Sequence, residues 1–231
     1  MHIFRAAGRI KTMGLIHKTK FVPFIDVSTT TTPSWKQIKK STTFSMAFNP
    51  QTKTFDFISS ENPEEEIDSY QPALSQSLTM FDNEDDFKTI FDMAFNLPTG
   101  GDAHRNVLLA FYASKQDVNT YALTEDEDIV EGKTYYTRSG TSPDYVYTPV
   151  QSPVKASLGT YYEVTATTTY YKAWLVDSVV KLGTLDSVNQ SIDFDLALNE
   201  HETGAVTVDN GVPTWVPGTW DGDEFTPNPG E

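Results

Sequence analysis

The sequence predicts a mainly β protein, in which two packed antiparallel sheets form a β-sandwich or barrel-like domain flanked by one α-helix. Thirty of the 231 residues are Thr, and 11 Tyr and 14 Phe add 25 more. These side chains suit a half-buried pleated surface. Several segments alternate apolar and polar residues with a period of two, whereas one segment has a clear helical period.

Composition shifts divide the chain into an N-terminal arm, a central domain and a tail. We expect an extended arm over residues 1–42, a β-sandwich domain over 43–216, and a flexible acidic tail over 217–231, which is rich in Pro and Gly. A β-rich insertion is predicted at about 117–159. In it, Gly132-Lys-Thr-Tyr-Tyr136 is echoed 27 residues later by Gly159-Thr-Tyr-Tyr-Glu163.

The clearest local pattern lies at the start of the central domain. Phe44, Met46 and Phe48 alternate with small or polar residues, and in a second alternation Phe55 and Phe57 are expected to face the core, with Asp56 facing outward. An Asn-Pro-Gln-Thr break separates the two runs, so we predict a β-hairpin with its turn at residues 49–52. The polar, aperiodic residues 59–73 are predicted to form a long exposed loop.

One helix is predicted, over about residues 83–96. Its apolar side chains recur at helical spacing and predict a single buried stripe. Asp82 or Asn83 would cap its N-terminus, and Pro98 and Gly100 would end it. The residues expected to pack against a sheet are Phe87, Ile90, Phe91 and Phe95.

A late strand alternates regularly over residues 189–198. Ile192, Phe194 and Leu196 are expected to face the core. Asp193 and Asp195 then point to the opposite side of the sheet. Short β segments before and after this strand complete the predicted β domain.

The charge of the chain is distributed unevenly. The formal net charge is −15, but residues 1–55 carry nine Lys or Arg against one acid, whereas the remainder carries eight against 31. Such an acidic chain is not typical of proteins that hold nucleic-acid phosphates. The basic start is interpreted as a solvated tail, as an arm that docks on a neighbouring acidic copy, or, less favoured, as a transit peptide. The arm hypothesis assigns intersubunit roles to Arg5, Arg9, Lys11, Lys18, Lys20 and Trp35.

Catalytic motifs are not found in the sequence. Cysteine is missing, which excludes disulfides, Cys-based zinc sites and thiol nucleophiles. His201 lies between two Glu residues, but no second His follows at helical spacing, so a zinc-hydrolase site is not predicted. The acids before the helix favour its positive N-terminal end. We therefore predict no catalytic residue, no metal site, no cofactor and no enzymatic activity. The chain also lacks a recognisable secretion signal or membrane-spanning run.

The order of these elements resembles the major tail protein, or tail tube protein, of long-tailed bacteriophages, particularly those of Gram-positive hosts. The resemblance covers most of residues 20–216 and consists of short motifs. They are Trp35 before the first predicted hairpin, the Asn49-Pro-Gln-Thr52 corner with Phe55-Asp-Phe-Ile58, Tyr70-Gln-Pro72, Leu97-Pro-Thr-Gly100 after the helix, the insertion with paired Tyr, and Ser191-Ile-Asp-Phe-Asp-Leu196 before Thr203-Gly204.

This resemblance implies a virion structural protein whose six copies form rings that stack into a hollow tube for DNA. The implied partners are other copies, a tape measure protein, and tail terminator or baseplate proteins, with assembly in the host cytoplasm. If the acidic strand faces line the channel, Asp193, Asp195 and Asp56 are the lumen candidates; the tube exterior is the alternative. The predicted loop would reach a neighbouring subunit or ring through Glu64, Glu65 and Glu66.

Two other functions stay open at the level of sequence. Tyr and Trp pairs on strands can stack on sugars, which fits a carbohydrate-binding β-sandwich. A strand-exchanging fimbrial or adhesin subunit is the other alternative, although it would require a secretion signal. Assembly into tubes or rings distinguishes the tail protein from both.

Overall fold

The computed structural model describes residues 20–28, 32–58, 62–142 and 145–228, and strands dominate these residues. The predicted fold class is confirmed: the protein is mainly β, with two antiparallel sheets and one α-helix in the described residues. One sheet has eleven strands and the other has two. The thirteen strands in the described ranges are β1 (Phe21–Asp26), β2 (Trp35–Gln37), β3 (Ser41–Ala47), β4 (Pro50–Phe55), β5 (Glu64–Tyr70), β6 (Ala73–Thr79), β7 (His104–Leu123), β8 (Tyr136–Ser139), β9 (Val146–Pro149), β10 (Tyr162–Asp186), β11 (Ser191–Asp209), β12 (Val212–Asp221) and β13 (Glu224–Pro227).

The chain forms two compact units. The first contains residues 1–113 and 176–199, and the second contains residues 114–175 and 200–231. Strands β7, β10 and β11 are 20, 25 and 19 residues long, and each contributes one part to each unit. The second unit therefore includes the predicted insertion together with strands on both sides of it.

The large sheet of the first unit has the strand order β3-β6-β11-β10-β7-β1-β2. Although β1 and β3 lie near opposite edges of this order, the rings of Phe21 and Phe44 are only 4.9 Å apart. Phe21 also stacks on Phe111 of β7 at 4.9 Å. The sheet therefore curls upon itself, as in a barrel, and its edges approach each other around an aromatic cluster.

The helix, α1, runs over Asp85–Asn96 and lies beside β2. Leu97 adopts a left-handed conformation with φ 48°, and its N–H donates to the Met93 carbonyl at 2.8 Å, which ends the helix. Its start is held to the sheet by the Lys36–Asp85 ion pair at 2.8 Å. The buried Asp86 carboxylate also accepts a hydrogen bond from the Lys39 N–H at 3.1 Å.

The predicted buried stripe of α1 is wrong in part. Ile90 is fully buried and Phe87 is half-buried, but Phe91 is 39% exposed and Phe95 is 80% exposed. The buried side is instead formed by Asp86, Ile90 and Met93, at i, i+4 and i+7. The contacts of Asp85 and Asp86 with the chain around β2 fix this rotation, because turning the Phe stripe inward would break them.

The predicted pairing within residues 43–58 is also wrong. Strand β3 pairs with β6, and β4 pairs with β5, so β3 and β4 are consecutive strands that do not pair with each other. Asn49 turns the chain between them with φ 43°. Its backbone O accepts from the Gln71 N–H at 3.2 Å, and its side-chain amide donates to the Gln71 carbonyl at 3.1 Å. These bonds lock a corner between two ribbons.

The exposed loop predicted over residues 59–73 is mostly a strand. Residues 64–70 form β5, and residues 59–61 lie outside the described part of the chain. The run of Glu residues at 64–66 predicts a loop because it is polar throughout. A strand that is exposed on both faces has no apolar alternation, so periodicity could not reveal it.

The flexible tail predicted over residues 217–231 is wrong for residues 217–227. Strand β12 continues to Asp221 and pairs with β13. Phe225 of β13 is buried against Trp220, with ring centroids 5.0 Å apart, and the Trp220 indole N–H donates to the Gly204 carbonyl at 2.7 Å. The Gly222-containing turn therefore returns the chain to the second unit's core.

Candidate assembly surfaces

The first surface is an acidic face on the outward side of β11. Ile192, Phe194 and Leu196 are buried, whereas Asp193 is half-buried and Asp195 is exposed. The predicted division of this strand into a core face and an acidic face is therefore confirmed. Whether the acidic face lines a channel stays a prediction.

Small hydroxyl residues extend the acidic face across two further strands. Directly opposite residues of antiparallel strands share one face of the sheet. The acids and hydroxyls therefore form two rows, Thr43–Ser77–Asp193 and Ser45–Ser75–Asp195. Five of these residues, all except Ser45, line a shallow groove of about 390 Å³ together with Gly183.

Strand β10 borders the acidic face on its other side. A Cβ on Gly183 would lie 3.0 Å from the Asp193 backbone oxygen, so a glycine here permits the close approach of β10 and β11. Lys181 is exposed on the same strand, two residues before Gly183. Since side chains two apart lie on one side of a strand, the face carries a cation as well as its carboxylates.

Asp56 does not share a sheet with the other two lumen candidates. It follows β4, which belongs to the two-stranded sheet, and it is exposed. The expectation that Phe55 and Phe57 take the core side is wrong, because both rings are exposed and stack on each other at 5.8 Å. Neither side of the hairpin is buried, so Asp56 cannot be assigned to an outward face.

The second surface is the hairpin formed by β4 and β5, hereafter the hairpin. Every residue of both strands is exposed, including the three Glu side chains predicted to meet a neighbour. Lys53 forms an ion pair with Asp68 along the ribbon. The large apolar side chains exposed on the hairpin and its flanks are Phe48, Phe55, Phe57, Ile58, Ile67 and Tyr70.

The third surface is the outer edge of β3. In the described residues β3 pairs with β6 alone, so its other edge presents backbone N–H and C=O groups. The strand has the sequence Ser-Thr-Thr-Phe-Ser-Met-Ala and contains neither charge nor proline. Natural edge strands usually carry Lys, Pro or a bulge that blocks pairing with another chain. The register of β3 is irregular between Ser41 and Thr43, so strand addition is favoured along its regular part, residues 43–47.

The predicted basic segment (residues 1–20) is described only at its last residue. Arg5, Arg9, Lys11 and Lys18 lie outside the described residues, and Lys20 is exposed just before β1. Trp35 begins β2, pairs with Asp26 and is half-buried.

The polar clusters of the first unit do not form a recognisable active site. His104 Nδ1 lies 2.9 and 3.0 Å from the two Asp177 carboxylate oxygens, and the Asn199 amide donates to the same carboxylate at 3.3 Å. The Asn199 amide therefore holds the carboxylate that orients the His104 imidazole. Within the described residues, no group of three or more His, Asp or Glu side chains could hold a metal ion.

The repeated Gly-Tyr-Tyr motif builds a polar cluster in the second unit. The fully buried Tyr135 donates its hydroxyl to Asp126 at 2.6 Å, and Lys133 bridges Asp126 and Glu163. The hydrogen bonds from Lys133 and then Tyr135 lower the pKa of Asp126, and the same contact with Asp126 chiefly raises the pKa of Lys133. Burial, followed by the bond to Asp126, raises the pKa of Tyr135. This network stabilises the turn that carries Gly132.

Other tyrosines of the second unit pack on one another. The rings of Tyr121 and Tyr147 are parallel and 3.9 Å apart, and Tyr136 and Tyr162 lie edge-on to them. The Arg138 guanidinium lies 4.7 Å from the Tyr162 ring centroid. These ring faces are therefore largely occupied by each other and by Arg138, whereas a sugar-binding platform presents a free ring face.

Comparison with known protein-family models and with curated proteins finds no match. Among the described residues, no helix has the length and apolar character needed to span a membrane. The resemblance to phage tail tube proteins accordingly stays a prediction from sequence motifs.

Proposed function

We propose that the chain is a structural subunit of a bacteriophage tail tube, which self-assembles into stacked hexameric rings whose acidic lumen conducts DNA. The observation that carries this proposal is the hairpin, whose two strands and large apolar side chains are exposed throughout. The hexamer, the virion location and the tape measure, terminator or baseplate partners come from the family resemblance.

The hairpin is poorly suited to a protein that works as a monomer. An isolated two-stranded ribbon is only marginally stable in water. Full burial of one Phe or Ile side chain contributes roughly 1.5–3 kcal/mol. Covering Phe55, Phe57 and Ile58 with a neighbouring copy would therefore stabilise both the ribbon and the assembly.

The edge of β3 supplies a second contact that can connect copies laterally. An added strand would pair with the outward-pointing backbone groups of residues 43–47 without displacing a charge. A contact between two different surfaces of the same chain is heterologous, and such contacts close into rings when the rotation permits. The hairpin and the β3 edge are two such surfaces.

The acidic face suits a conduit through which DNA passes without binding. A basic wall would release counterions and hold the phosphates, whereas carboxylates repel them over about 8–10 Å at physiological salt. Six copies of Asp193 and Asp195 would repeat this charge around a lumen. Lys181 lowers the charge of each copy without reversing it.

Negative-stain electron microscopy of the purified chain tests the proposal. We expect stacked rings or tubes with a central hole from the native sequence. The double variant Phe55→Ser/Phe57→Ser should remain small, with a free energy of unfolding within about 0.5 kcal/mol of the native chain, because its changes are on an exposed surface. Val130→Ser/Val154→Ser, which removes two exposed side chains elsewhere, is the matched control.

Two results would contradict the proposal. One is a monodisperse monomer at all protein concentrations tested. The other is a hairpin variant that forms the same tubes as the native chain. A monomer that is retained on a glycan resin would instead favour the carbohydrate-binding alternative.

A further inference from the structure

We infer that the exposed side of α1 and the cleft at its C-terminal end form a docking site for residues 1–19 of a second copy of this chain. The inference rests on the proposed self-assembly and identifies a contact that holds neighbouring copies together. The site combines an apolar stripe, a net negative charge and a cleft.

The apolar part of the site is the Phe stripe of α1, which the sequence pattern predicts to face the core. Phe87, Phe91 and Phe95 follow one another at intervals of four residues, and the rings of Phe87 and Phe91 are 5.6 Å apart. Exposure rises along the stripe to 80% at Phe95 and continues at Leu97, which is 70% exposed. Phe91 and Phe95 on the helix, together with Leu97 just after it, are three exposed large apolar side chains and indicate an interaction surface.

The charge of the site is opposite to that of the proposed occupant. Residues 81–102 contain six acids and one Lys, a net charge of 1 − 6 = −5, whereas residues 1–19 contain four Lys or Arg and no acid, a net of +4. The last turn of α1 carries no basic residue, so its negative end is uncompensated. Asp85 is paired with Lys36 and Asp86 is buried, so the acids that can face a partner are Asp82, Glu84, Asp92 and Asp102.

A cleft of about 580 Å³ opens at this negative end. Asp92, Asn96, Asp102 and the apolar Pro98 contribute to its walls. Arg105 also lines it, but its guanidinium is engaged by backbone, since it donates to the carbonyls of Asp102 at 3.1 Å and His104 at 2.6 Å. The cleft can therefore receive a Lys or Arg side chain beside two carboxylates.

The amino-terminal segment has the composition that this site requires. It alternates basic residues with large apolar ones, among them Phe4, Ile10 and Ile16. Its apolar side chains match the Phe stripe and its cations match the cleft. At 3.3 Å per residue, 19 extended residues span roughly 60 Å, enough to reach an adjacent copy.

The choice of a second copy as the source of the segment follows from the proposed self-assembly. Val27 and Ser28, which follow β1, line the cleft. Lys20, to which residues 1–19 are attached, lies before the opposite end of the strand, about 20 Å away at 3.3 Å per residue. A segment of 19 residues spans more than this distance, so cross-linking has to distinguish docking in the same chain from docking in a second copy.

Disulfide cross-linking tests this docking, since the native chain has no cysteine. One protein carries Thr12→Cys and another carries Asn96→Cys, which leaves the Phe stripe and all charges intact. The two are mixed, assembled and oxidised, and linked peptides are quantified by mass spectrometry. Val188→Cys, at a position that is 88% exposed, replaces Asn96→Cys in the control and measures random collision.

We expect the cross-link yield between the Thr12→Cys and Asn96→Cys proteins to exceed the yield between the Thr12→Cys and Val188→Cys proteins by about tenfold or more. Docking produces this excess because it raises the effective concentration of the pair. Phe91→Ser/Phe95→Ser should remove this excess, whereas Leu185→Ser, another exposed apolar position, should preserve it. Higher salt should also reduce the excess, since the contact is electrostatic in part.

The outcomes separate this inference from the proposed function. Tubes without excess cross-link would overturn the docking site and leave the tube proposal intact. Excess cross-link without tubes would support the docking of two copies and contradict the tube. A Thr12→Cys/Asn96→Cys chain that oxidises mainly within one monomer would overturn the assignment to a second copy.

Discussion

The side chain of Gln76 lies in the core of the first unit, where neither of its amide atoms has a hydrogen-bond partner in the described structure. Its neighbours across the sheet are Phe44 and Phe194, which offer no polar group from their rings. A buried amide without partners costs about 1–3 kcal/mol relative to a satisfied one. The pleat places this Gln inward because Leu74 and Leu78 flank it on the same side of β6.

We therefore expect Gln76→Met, which keeps the volume and removes the unsatisfied atoms, to raise the free energy of unfolding by roughly 1–2 kcal/mol. Urea denaturation followed by fluorescence measures the change. Gln151→Met at an exposed position is the control and should shift stability by less than about 0.5 kcal/mol. A destabilised Gln76→Met variant would indicate that the amide makes a bond essential to the core.

The Asp126 carboxylate makes a pH-dependent contribution to stability. Its pKa is lowered, first by the hydrogen bond from Lys133 and then by that from Tyr135. A lowered pKa in the folded state stabilises the fold above the unfolded pKa, about 3.9, and this contribution disappears as pH falls through the folded value. The raised pKa of Lys133 acts at the other limit, since its contribution is complete below about 10.4 and is lost only at more alkaline pH.

Asp126→Asn should therefore flatten the acid limb of the stability profile. The native melting temperature is expected to fall between about pH 5 and pH 2, and that of the variant should fall less over the same interval. Asp223→Asn, an exposed acid in a turn, controls for the loss of one negative charge. Parallel acid limbs for the native chain and Asp126→Asn would contradict the assignment.

Among the elements, α1 is a helix whose position is predicted correctly but whose predicted buried face is wrong. Its position was predicted from the spacing of Phe and Ile, and the helix indeed runs over Asp85–Asn96. The Phe stripe is longer than the stripe that is actually buried, so hydrophobicity alone favours the Phe stripe as the buried face of the helix. The ion pair at Asp85 and the backbone bond to Asp86 decide the rotation, and such tertiary contacts leave no periodic signal.

A pair of alanine substitutions distinguishes the two faces of α1. Ile90→Ala should cost about 2–5 kcal/mol because it opens a cavity in the core. Phe91→Ala should cost less than about 1 kcal/mol in the monomer, since the ring is substantially exposed and packs mainly on Phe87. Chemical denaturation of unassembled protein measures both, and the opposite ranking would mean that the Phe stripe faces the sheet.

For the strands, too, local sequence patterns predict which face is buried but do not predict which strands pair. The alternation in β11 correctly assigned Ile192 and Asp193 to opposite faces, because one face of that strand is buried. The partner of β3 was missed because β6 lies beyond the hairpin, and no local pattern encodes that pairing. The β12–β13 pairing was missed for a different reason: Pro and Gly favoured a frayed tail, although Phe225 gives it a buried anchor.

For the whole molecule, the exposed hairpin, the β3 edge that is unpaired in the described residues, and the acidic face are the surfaces on which the proposed assembly and lumen depend. The acidic face determines how the proposed tube handles DNA. Asp193→Lys/Asp195→Lys changes the charge of six copies by 6 × 4 = 24 units, and we expect such tubes to retain DNA in a salt-dependent manner. Filter binding of short duplexes to assembled tubes measures this, with Asp56→Lys as a comparison on the hairpin. No retention by tubes that assemble normally would place the acidic face away from the lumen.

Cryo-electron microscopy of the assembled chain, at a resolution that shows side chains, would show whether the acidic face lines a channel and whether the hairpin joins copies. We expect a hollow tube of stacked rings in which Asp193 and Asp195 face the channel and Phe55 and Phe57 are covered by another copy. Particles without a channel, or a tube in which the acidic face lies on the exterior and the hairpin touches only solvent, would contradict this expectation.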